Sequence, residues 1–326
     1  MPSKSSGSDP SSSTPKADSS TDAPSKPMKL LFSDVWSDLF DVLRPEVSDS
    51  LKTAAEKKLT QYLQQAAEAH AITANYNVLI LFDEGRMIKS DADRIYTAVT
   101  SFKEKKPILL ILFSDGGHIA SAYLIGKLCR EYSCGNFVIA VPRRAKSAAT
   151  LLCCAADKIH MGSLSELGPI DPQIDNMPAL GLKSAIEHIA DLVKQHPLAA
   201  DMFARYLHLS VQPIHLGHYE RVAESAAQYA QRLLSGRSKS TGDIKQLAFD
   251  LVYSYKDHGF VIDKNEAVTL FGSEVIATNT PEYDFANALY QDLVLINRAA
   301  EIMEHSFYFI GSLASNPIFT SKRKAS

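Results

Sequence analysis

Apolar runs of strand length recur through the middle of the chain, each followed by a stretch whose apolar residues fall at helical spacing. "NVLILF" at 77–82, "ILLILF" at 108–113 and "FVIAV" at 137–141 are apolar almost throughout, and "KIHMG" at 158–162 is a shorter fourth run. Strands without a polar face are covered on both sides, as in a parallel sheet with helices above and below. The intervening "SDADRIYTAVTSF" (90–102), "HIASAYLIGKLCREY" (118–132) and "AATLLCCAA" (148–156) read as those helices. The pattern predicts an α/β fold built on a parallel sheet.

Flanking segments read differently. Residues 28–72 carry two amphipathic runs, "SDVWSDLFDVL" and "LKTAAEKKLTQYLQQAAEAHA", suited to the domain's own core or to a partner subunit. "SLSELGPIDPQIDNMPALG" (163–181) has three prolines and no period, and reads as a loop. From Lys183 to about Tyr255 the pattern is mostly helical, broken at Pro197, Pro213 and "SGRSKSTGD". A short strand and a helical turn are expected over 259–272, then a last helix from Pro281 to about His305 ahead of a basic tail. The expected organisation is a disordered tail (1–27), a helical segment (28–72), one α/β domain (73–275) and a C-terminal helix and tail (276–326).

Composition narrows the function classes. Of 326 residues, 45% are apolar and 22% charged, and the net charge of −3 gives no overall attraction to nucleic acid or anionic lipid. No run approaches the roughly 18 apolar residues of a membrane helix. The Ser-, Pro- and Asp-rich beginning lacks the apolar core of a signal peptide and cannot bury enough surface to order itself. Four cysteines, two of them adjacent at Cys153 and Cys154, make no disulfide framework, and a reducing cytoplasm fits best. Cys129 and Cys134 lack a second cluster, and "HLGHYE" (215–220) offers two histidines without a third ligand, so no metal site is expected. Neither "DGGHIASA" nor "SAYLIGKL" completes a nucleotide-binding loop, so no cofactor is expected.

In a parallel α/β sheet, ligands meet the carboxyl ends of strands, where loops enter helix N-termini. Two such ends carry unusual residues. "ILLILF" runs into Ser114-Asp115-Gly116-Gly117, a turn whose backbone N–H groups can face an anion. "FVIAV" leads to Ser147 at a helix start, where a hydroxyl is either an N-cap or a nucleophile beside free N–H donors.

"SDGGHIASA", "VPRRAKSAATLLCCAADKIHMG", "SELGPIDPQI" and "HGFVIDKNEAVTLFG" together resemble the successive motifs of the serine dehydrogenase proteinase family. That family belongs to the Clp/crotonase superfold and is related to signal peptide peptidase A. The resemblance runs from about residue 75 to 275. It implies a serine peptidase that forms an acyl-enzyme on Ser147, with Gly117 and Ala148 N–H groups as oxyanion hole, Gly116 shaping the turn and Asp171 lining the site. For the general base it implies a Lys beyond the loop, Lys183 or next Lys194, or His258, which matches the family's His as base or substrate contact. It also implies a peptide substrate and a closed homo-oligomer, with contacts expected over 28–72 and 281–305. Asp115 stands where the family has Pro, and a carboxylate there opposes a developing oxyanion unless it points away. A catalytically silent peptide-binding scaffold is the alternative, and an acyl-CoA enzyme is disfavoured because no basic cluster adjoins the site.

Overall fold

The computed structural model describes residues 30–44, 46–174, 177–178, 181–210, 213–238 and 243–321. The tail expected over 1–27 lies outside them.

Two helices open the fold, α1 (Phe32–Leu43) and α2 (Asp49–Glu68). Then strands and helices alternate: β1 (Asn77–Asp83), α3 (Lys89–Thr100), β2 (Ile108–Ser114), α4 (Ile119–Tyr132) and β3 (Phe137–Val141). A two-residue strand, β4 (Arg144–Ala145), leads into the short helix α5 (Ala148–Cys153), followed by β5 (Lys158–Met161) and β6 (Glu166–Leu167). A small hairpin, β7 (Gln173–Ile174) with β8 (Met177–Pro178), precedes four helices: α6 (Gly181–Gln195), α7 (Ala200–Ser210), α8 (Pro213–Leu234) and α9 (Ile244–Phe249). The chain closes through β9 (Ile262–Asp263), α10 (Lys264–Phe271), β10 (Ile276–Ala277), α11 (Pro281–Ile302), β11 (His305–Ser312) and β12 (Ile318–Ser321).

The sheet order is β10-β5-β3-β2-β1-β11-β12, parallel from β10 through β1. Alternation along each central strand divides the interior in two. Leu79, Leu81, Leu110, Leu112 and Ile139 join a core formed with α3, α4, α5 and α8. Val78, Ile80, Phe82, Leu109 and Ile111 face α1, α2 and α11 on the other side. Each such side chain, taken fully out of water, contributes on the order of 2 kcal/mol. Both stretches expected to carry subunit contacts thus spend their apolar faces within the subunit, while Leu31, Leu51, Leu295 and Ile302 remain exposed.

The structure departs from the sequence pattern after α11. That helix stops at Ile302, and "HSFYFIGS" forms β11, antiparallel to β1 with Leu81 opposite Ile310. The sheet is therefore mostly parallel, with an antiparallel hairpin at one edge.

Near the site the sheet splits. Beyond Ile111, β2 leaves β3 and pairs with β4 through Ser114 and Ala145; β4 then pairs with β6, and β6 with β9. This small branch gathers residues 114–117, 144–148, 166–171 and 258–263 at one end of the sheet.

Candidate active site

The branch strand β4 fixes the turn after β2 against the start of α5. Lys146 N–H donates to Ser114 O at 3.0 Å, and Gly116 N–H donates to Ser114 Oγ at 3.1 Å. Gly116 and Gly117 have φ of 105° and 141°, conformations that side chains rarely adopt. A Cβ on Gly116 would lie 2.9 Å from Ser147 Cβ and 3.1 Å from Ala148 N, so this glycine backs directly onto the serine. A Cβ on Gly117 would lie 2.3 Å from Met87 N. Met87 stitches the turn in place: its N–H donates to Gly116 O, and its carbonyl accepts from His118 N–H, both at 2.8 Å.

Ser147 stands at the N-cap position of α5 with φ 51° and ψ −117°, yet its hydroxyl makes no capping hydrogen bond. A non-glycine residue held there costs on the order of 1–3 kcal/mol, and strain of this kind marks a serine presented at a sharp strand-to-helix turn. A neighbouring hydroxyl braces the turn instead. Thr150 Oγ1 donates to Ala145 O at 2.6 Å and accepts from Gly168 N–H at 3.1 Å, so the hydroxyl three residues on braces the turn. Among the described residues, neither the Gly117 N–H nor the Ala148 N–H donates a hydrogen bond. The half-buried Ser147 hydroxyl thus adjoins two unengaged amides, the parts an acyl-transfer site needs.

Asp115, which would oppose an oxyanion, is neutralised. Arg144 Nε and Nη2 grip its two carboxylate oxygens, the second at 3.1 Å, and the same guanidinium lies 3.6 Å from Glu84. It also stacks 4.4 Å above the Phe113 ring. Asn297 Nδ2 donates to Glu84 Oε2 at 2.8 Å and completes the network. The Asp115 hydrogen bond holds the Arg144 guanidinium above its ordinary pKa.

The proposed bases divide between two places. Asp171 is buried at 4% exposure and takes a 2.9 Å hydrogen bond from Gln173 Nε2. His258 Nδ1 lies 3.8 Å from its Oδ2, beyond hydrogen-bond range, and both His258 Nδ1 and Asp171 Oδ1 are buried without a partner. Lys183 and Lys194 lie on α6, exposed, paired with Glu220 at 3.2 Å and Asp191 at 2.8 Å. The loop of His258 reaches Ser147's neighbourhood through Lys146, whose Nζ donates to Phe260 O and Leu167 O, both at 3.2 Å. The sequence pattern assigns no role to Lys146 or Arg144, because their partners at positions 115, 167 and 260 are far away along the chain.

Among the described residues, no cluster of His, Cys, Asp and Glu is arranged to hold a metal ion. No described helix is long and apolar enough to cross a membrane. All four cysteines are free; burial pushes the thiols of Cys129, Cys153 and Cys154 well above the ordinary range.

Two uncharacterized proteins of Methanocaldococcus jannaschii are 38% identical over 97 residues and 32% over 108. These matches cover 30% and 33% of this chain and 34% and 37% of the relatives, so the chain spans about a third of the curated relatives it matches. Two solved mutant structures of the membrane-bound stomatin-specific protease 1510-N, one holding a substrate peptide, cover 77% of this chain and 95% and 90% of their own. Their identities are 12% and 14%, with TM-scores of 0.38 and 0.39. The ClpP-like SDH-type serine proteinases match residues 24–237, from before α1 to the end of α8, and the chain belongs to that family.

Proposed function

We propose that the protein is a serine peptidase acting through an acyl-enzyme on Ser147. The observation that carries this reading is a serine at φ 51° with an uncapped hydroxyl next to two amides that bond to nothing among the described residues. Ser147 Oγ attacks the scissile carbonyl carbon, and its proton passes to the base. The carbonyl oxygen gains the negative charge and is held by the N–H groups of Gly117 and Ala148. Collapse breaks the C–N bond, and the leaving amine takes the proton from the base. Water then repeats the sequence on the ester and frees Ser147.

His258 is the base this geometry favours over Lys183 and Lys194. Its imidazole sits beside the buried carboxylate of Asp171, with Nδ1 unpartnered and 3.8 Å from Oδ2, so a small shift joins them when a substrate closes the site. Lys183 and Lys194 are exposed on α6 and already paired with Glu220 and Asp191, away from any contact with the Ser147 turn among the described residues. Assembly into a closed homo-oligomer belongs to the same reading, and light scattering measures it.

A serine-reactive phosphonate with mass-spectrometric mapping tests the proposal. An adduct on Ser147 that disappears in Ser147→Ala, with peptide hydrolysis lost alongside, is the expected result. Hydrolysis retained by Ser147→Ala refutes it. A folded wild-type protein that binds peptide yet never forms the adduct moves the scaffold reading ahead.

A further inference from the structure

Resting on that reading, we propose that Lys146 is a positioning residue that clasps the loops of Asp171 and His258 onto the turn of Ser147. Its side chain is only 13% exposed and faces three acceptors: Leu167 O and Phe260 O at 3.2 Å, and Glu166 Oε1 at 3.3 Å. These three acceptors match the donors of the lysine head group and commit it to the loops around the serine, the part of a clasp.

The acceptors come from two parts of the site, β6 and the segment after His258. Leu167 ends β6, and the chain from it to Asp171 is "LGPID"; Phe260 is two residues past His258. The β6–β9 pairing, Leu167 opposite Ile262, joins these two segments, and Lys146 ties the pair to the nucleophile turn. The fit is close. A Cβ on Gly168 would lie 2.6 Å from Lys146 Cδ, so the lysine stem runs along the glycine where the chain turns toward Asp171. Removing the head group takes its donors from two carbonyls and a carboxylate at a partly exposed place, and water entering there lets the loops part. The base then loses its set position relative to Ser147, which acts on the chemical step and not on substrate binding.

The test compares Lys146→Met, Lys146→Arg and Glu166→Gln with wild type in the full chain. One readout is the maximal rate of phosphonate labelling of Ser147 against the probe's half-saturating concentration. The other is hydrogen exchange over residues 166–173 and 256–262. Lys146→Met is expected to lower the maximal rate at least tenfold at an unchanged half-saturating concentration and to speed exchange in both loops. Lys146→Arg, which keeps donors, recovers part of the rate at a similar melting temperature. If Lys146→Met fails to fold, Glu166→Gln gives the same two changes with smaller amplitude. Wild-type rate and wild-type exchange in a folded Lys146→Met or Glu166→Gln overturn the clasp while leaving the peptidase reading standing. Faster loop exchange in a Lys146→Met protein whose wild type never labels keeps the clasp and removes the peptidase reading.

Discussion

The guanidinium of Arg144 holds the carboxylate of Asp115 one residue before the Gly116–Gly117 turn, and a second carboxylate, Glu84, stands on its other side. Arg144→Gln bares Asp115 beside the amides that would receive an oxyanion. An unpaired charge one residue from the turn opposes an oxyanion there by on the order of 1 kcal/mol once solvent at this partly exposed pair is counted. The expected result is a five- to tenfold slower labelling of Ser147 with little change in melting temperature. Asp115→Asn in the same background restores the rate; failure of that second change to help refutes the electrostatic account.

Ser147 is strained where it stands. Glycine accepts φ 51° without penalty, whereas alanine keeps the strain. Ser147→Gly should be more stable than Ser147→Ala by about 1 kcal/mol, net of the extra freedom glycine has when unfolded. Chemical denaturation of the two inactive variants measures the difference, and an equal midpoint would mean that the turn relaxes.

Two glycines with the same sign of φ separate clash from strain. Gly117 at 141° has Met87 N 2.3 Å from the Cβ position, while Gly135 at 92° has nothing within 4 Å. Gly117→Ala must push the Met87 segment away, costing about 3 kcal/mol or more and abolishing labelling. Gly135→Ala carries backbone strain alone, about 1 kcal/mol, and leaves labelling intact. Equal effects at the two positions would contradict the stitched turn.

Stability between pH 4 and 6.5 is expected to reflect two buried groups of opposite sense. Burial, with repulsion from Asp91, Asp115 and Glu84 and against a hydrogen bond from Gly85, raises Asp83 to about 6. The folded state therefore holds this proton more tightly than the unfolded chain, at about 3.9, and Asp83 costs stability as pH rises from about 4 to 6. Burial, with Lys158 adding and Glu282 opposing, lowers His160 to about 4. The unfolded chain binds that proton near 6.5, so His160 costs stability as pH falls from 6.5 toward 4. Relative to wild type, Asp83→Asn should gain stability toward pH 7 and His160→Gln toward pH 4.5. Denaturant titrations at both pH values check the crossed pattern, and parallel shifts would exclude it.

The central strands were legible because "NVLILF", "ILLILF" and "FVIAV" are short apolar runs alternating with helical patterns, as strands buried on both faces are. The Gly116–Gly117 turn was legible because positive φ calls for glycine, and Ser147 was singled out by its place at a helix start, not by its backbone angle. β11 was not, since "HSFYFIGS" continues from an apolar helix and its polar ends hide a strand that only β1 calls into being. The two-residue strands β4, β6 and β9 carry no period at all; they exist through mutual pairing. The roles of Arg144 and Lys146 were equally invisible, because a cation's partners at positions 115, 167 and 260 are set by the fold and not by spacing.

The antiparallel contact between β1 and β11 has a consequence during synthesis. Residues 77–83 leave the ribosome long before residues 305–312, so one edge of β1 has no strand to bond until β11 follows. A nascent chain can already hold the Gly116–Gly117 turn, Ser147 and the His258 loop while its sheet is still open on that side. Phe307 and Phe309, both almost fully buried beneath α11 and α2, are the latch. Their arrival makes closure of that side of the sheet a late event in the life of each molecule.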